Sequence, residues 1–192
     1  SQTILYLPHF LSWVIIGGLV TTLFATTSGL INKGLTSIGL PAVPWLSDNG
    51  WWIFMYVFVT VWQGIGWGAI VYLSAITGID QEMYEAAKVD GCSRFKMMTK
   101  ITLPSIRTTI VIMLILRVGG MMSIGFEKPQ MLKNVMVNEV GDVISTFIYR
   151  YGIENNKFAI STAGGLLQSV INFALVMTAN SLSRKISDES IW

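Results

Sequence analysis

The first 32 residues contain no Asp, Glu, Lys or Arg; the first charged side chain is Lys33. Three more apolar runs follow. "WWIFMYVFVTVWQGIGWGAIVYLSAI" (51–76) lies between Asp48 and Asp80, Thr108 to Phe126 carries one charge, Arg117, and 158–183 carries none. A helix crossing a bilayer needs about 20 mostly apolar residues, and inside hydrocarbon only a helix or a closed barrel satisfies every backbone group. This pattern predicts an all-α, multi-pass bundle with spans at about 10–27, 51–76, 106–126 and 160–182.

Composition agrees. Of 192 residues, 52% are hydrophobic and 12% charged, against about 25% charged in a typical soluble domain. The 18 Gly and 7 Trp suit packed membrane helices and bilayer interfaces. A net charge of +2 argues against nucleic acid as a partner. One cysteine (Cys92) and one histidine (His9) argue against a disulfide framework and a zinc centre. Cys92 reads as a small packed residue rather than a redox group. The chain begins with Ser and has no basic flank before its first apolar run, so it reads as the C-terminal portion of a longer membrane protein.

Between the first two runs lies a turn-rich loop, "GLTSIGLPAVPWLSDNG". A second connector, 127–157, includes "DVISTFIYRYG", where Val143, Ile144, Phe147, Ile148 and Tyr151 recur at helical spacing and predict a short interfacial helix. Basic residues test the orientation. The 77–107 loop and the tail hold seven (Lys88, Arg94, Lys96, Lys100, Arg107, Arg184, Lys185). The opposite side holds five (Lys33, Lys128, Lys133, Arg150, Lys157). The bias places 77–107 in the cytoplasm.

That loop is the anomaly of the chain. "EAAKVDGCSRFKMMTKITLP" (85–104) is polar and helix-prone between two apolar runs. Asp80 is positioned as an N-cap with Glu82 in the first turn, and Gly91 as the C′ residue ending a helix over 81–90. Ser93 then caps a second short helix to about Lys100, and Pro104 opens the next membrane helix. Ala86 and Ala87 would let another surface approach closely. These residues describe a docking element without naming its partner; an ordinary solvated connector is the alternative.

The spacing Glu85-Ala86-Ala87-x3-Gly91-x9-Ile101-x-Leu103-Pro104 resembles the EAA motif of permease subunits of binding-protein-dependent ABC importers. "YLPHFLSW", "YEAAKVDGCSRF", "GDVISTFIYRYGI" and "SLSRKISDESIW" look like the polysaccharide and oligosaccharide branch of that family. The resemblance implies a MetI-like, type I importer permease with one or two further helices upstream. It implies that Glu85 and Gly91 shape the bend and that Met83, Ala86 and Ala87 face a cytoplasmic ATPase, with Asp90, Ile101, Leu103 and Pro104 completing the coupling set. It also implies a second, homologous permease, an extracellular solute-binding protein that docks on loops such as 28–50 and 127–157, and a carbohydrate substrate.

No G-x-x-x-x-G-K-[ST] loop occurs, so the chain is read as a non-enzyme, with ATP and Mg held by partner ATPase subunits and no cofactor of its own. No clustered His/Asp/Glu or nucleophile constellation appears in the spans, which argues against a membrane enzyme. A permease for an amino acid or peptide, or a receptor or assembly subunit without transport, stays open at this point.

An ionisable group within a span is a functional candidate. Arg117 lies about 20 Å along a helix from Pro104, and Gln63 and Asn172 fall at similar depth on other runs, with Gln168 near the latter. Together they suggest a solute path, flanked by Trp62 and Trp67. Each has a plainer reading. Arg117 could snorkel or pair with a partner subunit, Gln63 and Asn172 could bond between helices, and the tryptophans could pack or face lipid. The orientation has a direct check. A membrane-impermeant thiol reagent is expected to label Cys92 only after cells are opened, and labelling in intact cells contradicts the topology.

Overall fold

The computed structural model describes residues 6–121 and 124–187. All regular structure among them is helical: α1 Trp13–Phe24, α2 Leu30–Ser37, α3 Asn49–Thr77, α4 Gln81–Val89, α5 Arg94–Ser105, α6 Arg107–Gly119, α7 Glu127–Leu132, α8 Asn138–Gly141, α9 Ile144–Tyr149 and α10 Phe158–Ser187. Helices α3 and α10, with 29 and 30 residues, are long and apolar enough to cross a membrane. At 1.5 Å per residue each extends about 44 Å, more than the hydrocarbon thickness of about 30 Å. Helices α5 and α6 form a pair bent by 62° that qualifies as a third, broken span.

Two expected spans come out shorter. The run 10–27 is a helix of 12 residues, capped where Ser12 Oγ accepts from Ile15 N at 3.4 Å and ending at extended Ala25. The run 106–126 is helical only to Gly119, where Gly120 N–H closes on the Leu116 carbonyl; residues 122 and 123 lie outside the described residues. The end of the "SLSRKISDESIW" segment, 188–192, also lies outside them. The connector helix expected near 143–151 is α9, which runs on as a π turn, Arg150–Glu154.

The chain divides into two compact units. The first comprises 6–66 and 124–169, the second 67–121 and 170–187. In the first, Trp13, Ile16, Val20 and Phe24 of α1 pack with Trp52, Met55 and Val59 of α3, and with Leu132 and Val137. The Trp52 indole donates to the Leu132 carbonyl at 2.9 Å, so the largest core ring is also satisfied as a polar group. Gly17 lets α1 approach α7, since a Cβ there would meet Met131 at 3.1–3.2 Å.

A buried amide organises the turn-rich loop. Asn32 is 2% exposed; its Nδ2 donates to the carbonyls of Thr26 (3.0 Å) and Val43 (2.8 Å), and its Oδ1 accepts from Val43 N and Trp45 Nε1, both at 3.0 Å. Asn134, an exposed amide, ties the later connector, donating to the Leu46 carbonyl at 2.7 Å and accepting from Met136 N at 2.9 Å. Asp142 takes Lys133 at 3.3 Å, Arg150 at 2.6 Å and the Thr146 hydroxyl at 2.7 Å. Burial pushes its carboxyl up, but the three hydrogen bonds outweigh this and hold it below the usual carboxylate range.

Removing Asn32 strands several of these groups at once. Asn32→Ala is expected to cost about 1–3 kcal/mol or more, lowering the unfolding midpoint of the detergent-solubilised protein by several degrees. An unchanged midpoint contradicts the role given to this amide.

Candidate functional site

Helix α4 starts as its sequence dictates: Asp80 Oδ1 accepts from Glu82 N at 3.0 Å, and Glu82 lies in the positive first turn. It stops at Gly91, whose φ of +71° lies in the left-handed region. Gly91 N bonds the Lys88 carbonyl at 3.0 Å and Cys92 N bonds the Ala87 carbonyl at 2.9 Å, the paired closure of a Schellman turn. No atom would obstruct a Cβ at Gly91, so the backbone alone selects glycine there. Ser93 Oγ then caps α5 by accepting from Lys96 N at 3.4 Å.

Helix α5 outlasts its expected end near Lys100. It passes through a π turn, Met98–Thr102, with Leu103 N–H bonded to the Met98 carbonyl, and continues to Ser105. Pro104 therefore sits near the end of α5 and does not open α6, which begins at Arg107. The shifted hydrogen-bond register of the π turn accommodates a residue without an N–H, and Ser105 Oγ donates to the Ile101 carbonyl at 2.7 Å. The break falls at buried Ile106, with φ −97° and ψ 9°.

The faces of α4 also depart from expectation. Met83 (48% exposed), Glu85 and Ala86 point outward, and so do Val89 (88%) and the C-cap Asp90. Ala87 does not: it is 8% exposed and is unavailable to a partner in this arrangement. The inner face also carries Tyr84, whose hydroxyl lies 2.9 Å from that of Thr102. Ile101 is half-buried in the π turn, and Leu103 and Pro104 are exposed. Val89 and Phe95 (70% exposed) are apolar side chains the motif spacing passes over. Their signal was an apolar residue on the charged side of a polar helix.

The intramembrane polar groups belong to different units and are taken separately. In the first unit, Gln63 Nε2 donates to the His9 carbonyl at 3.3 Å. Trp62, 41% exposed, lines an apolar crevice of about 140 Å³ between α1 and α3, beside Leu19 and Phe58. In the second unit, Arg117 is exposed in the last turn of α6, where a cation is favoured by the helix dipole. The early end of α6 makes it a helix-terminal charge. Asn172 is half-buried on α10, and Trp67 is exposed on α3.

Helix α10 mixes polar and apolar residues where it is covered and leaves large apolar side chains bare. Its half-buried or buried positions include Ser161, Gln168, Asn172, Asn180 and Ser183 together with Ile171, Leu175, Val176 and Ala179. Leu166, Leu167, Val170, Phe173, Met177 and Leu182 are exposed. Two long helices with bare apolar side chains, beside the polar helical elbow formed by α4 and α5, describe an integral membrane protein.

The chain belongs to the binding-protein-dependent transport system inner membrane components, a family it matches over residues 1–188. It is 39% identical over 191 residues to Protein LplB of Bacillus subtilis (strain 168), spanning 100% of this chain and 60% of that one. The same identity and coverage relate it to the polygalacturonan/rhamnogalacturonan transport system permease protein YteP of that organism. Its fold matches a chain in the crystal structure of a bacterial alginate ABC transporter in complex with an alginate pentasaccharide-bound periplasmic protein. The TM-score is 0.93 at 41% identity, covering 99% of this chain and 66% of that one. The chain thus spans slightly under two thirds of these relatives.

Proposed function

We propose that this chain is part of a permease subunit that carries an oligosaccharide across the membrane in an ATP-driven importer. The observation that carries the reading is the α4–Gly91–α5 elbow, a capped polar hairpin whose outer face offers Met83, Ala86 and Val89 to a partner. That partner is a cytoplasmic ATPase, which supplies the ATP and Mg chemistry this chain is not equipped for. Glu85 and Asp90 border the contact, Gly91 fixes its turn, and Ile101, Leu103 and Pro104 join it to α6. Displacing the elbow as the ATPase subunits close tilts the membrane helices and exposes the path to the other side.

A second, homologous permease completes the path, and an extracellular binding protein delivers solute to the loops braced by Asn32 and Asn134. Arg117, Asn172 and Gln63 are the polar groups assigned to the path. Trp67 is offered as a sugar-stacking face; Trp62, in an apolar crevice, suits lipid better. The polygalacturonan/rhamnogalacturonan permease and the alginate transporter among the relatives support a carbohydrate over an amino acid or peptide.

The test uses the full-length protein, affinity-purified in mild detergent and reconstituted in proteoliposomes. It is expected to bring down an ATP-hydrolysing subunit whose turnover rises severalfold with oligosaccharide-loaded binding protein. Stimulation by peptide-loaded binding protein alone would overturn the carbohydrate assignment, and the absence of any ATPase would overturn the importer.

A further inference from the structure

Two helices joined by a short turn at a single left-handed glycine can splay about that turn. In the second unit they are pinned at the far end as well. The Tyr84 hydroxyl on α4 and the Thr102 hydroxyl at the end of the π turn share a 2.9 Å hydrogen bond, closing a loop of 18 residues. Tyr84 is about 10 Å of helix from Gly91, so the bond acts at the end of the lever where splaying would be largest.

Thr102 is also bonded toward the membrane helix. Its carbonyl accepts from Ile106 N at 3.1 Å, and Ile106 is the buried residue at the 62° break between α5 and α6. A continuous line therefore runs from the inner face of α4, through Tyr84 and Thr102, to the break at Ile106. Ala87, one turn along from Tyr84, is packed on the same inner side. The outer stripe of Met83, Ala86 and Val89 lies across the same short helix.

We infer that Tyr84 and Thr102 are positioning residues: their hydrogen bond is a strut that makes α4 and the far end of α5 move as one body, so that a push on the outer face of α4 reorients α6. This rests on the proposed function for the source of the push. The strut itself is a mechanical property of the hairpin. With the bond absent, α4 can swing about Gly91 and absorb the displacement locally, and ATP hydrolysis proceeds without a matching movement of α6.

The experiment compares Tyr84→Phe, Thr102→Val, the double variant and Thr102→Ser in the full transporter with its partner subunits in proteoliposomes. The readouts are solute moved per ATP hydrolysed, basal ATP hydrolysis and subunit content. Each single variant is expected to lower solute moved per ATP severalfold with the other two readouts unchanged. The double variant should be no worse than the singles, as expected for two halves of one interaction, and Thr102→Ser should match the unaltered protein. An unchanged ratio in assembled variants, additive losses or loss of subunits from the complex each overturns the strut. Hydrogen exchange of the Gly91–Ser93 amides is a readout independent of transport. Tyr84→Phe is expected to speed it severalfold, and unchanged exchange overturns the strut even if the unaltered protein proves not to couple ATP to uptake.

Discussion

Everything in this chain follows from the solvent around its long helices. Hydrocarbon offers no hydrogen bonds, so the backbone must close on itself and large apolar side chains can remain bare. Helix α3 accordingly exposes Phe54, Val57, Phe58, Val61 and Ile65, and α10 exposes Leu166, Leu167, Val170 and Phe173. In water such surfaces would be a severe aggregation liability. In a bilayer they are the equilibrium arrangement.

A chain organised this way can keep a polar stretch such as 77–107 only at the membrane surface. There its ends are closed by local groups: Asp80 and Ser93 as caps, Gly91 as the Schellman glycine. These closures need no tertiary partner, which makes the hairpin a self-contained shape. The π turn and the break at Ile106 then set its angle to α6. The connectors of the first unit are built differently, around side-chain amides and an ion cluster, because Asn32, Asn134 and Asp142 must hold loops that have few repeating backbone bonds.

The parts legible in the sequence were those fixed by local rules. The uncharged runs marked α3 and α10, Asp80 and Ser93 marked helix starts, and Gly91 marked a helix end. The parts that were not legible depend on distant partners. Ala86 and Ala87 are adjacent and about 100° apart on the helix, so spacing alone cannot decide which faces inward. Tyr84 settles it by finding Thr102, 18 residues away. Pro104 misled for a related reason: the proline rule assumes regular α-helical bonding, and a π turn changed the register just before it. Asn32 gave no signal, since its partners Val43 and Trp45 lie 11 and 13 residues further along the chain.

Coupling as proposed requires that the outer face of α4 meet an ATPase while Ala87 stays buried. The most direct measurement places a photo-crosslinking side chain in turn at Met83, Ala86, Ala87 and Val89 of the full-length protein in native membranes. Crosslinks to an ATP-hydrolysing subunit are predicted from 83, 86 and 89 and not from 87. Crosslinks from 87 without 86, or from none of the four in an assembled transporter, would contradict it.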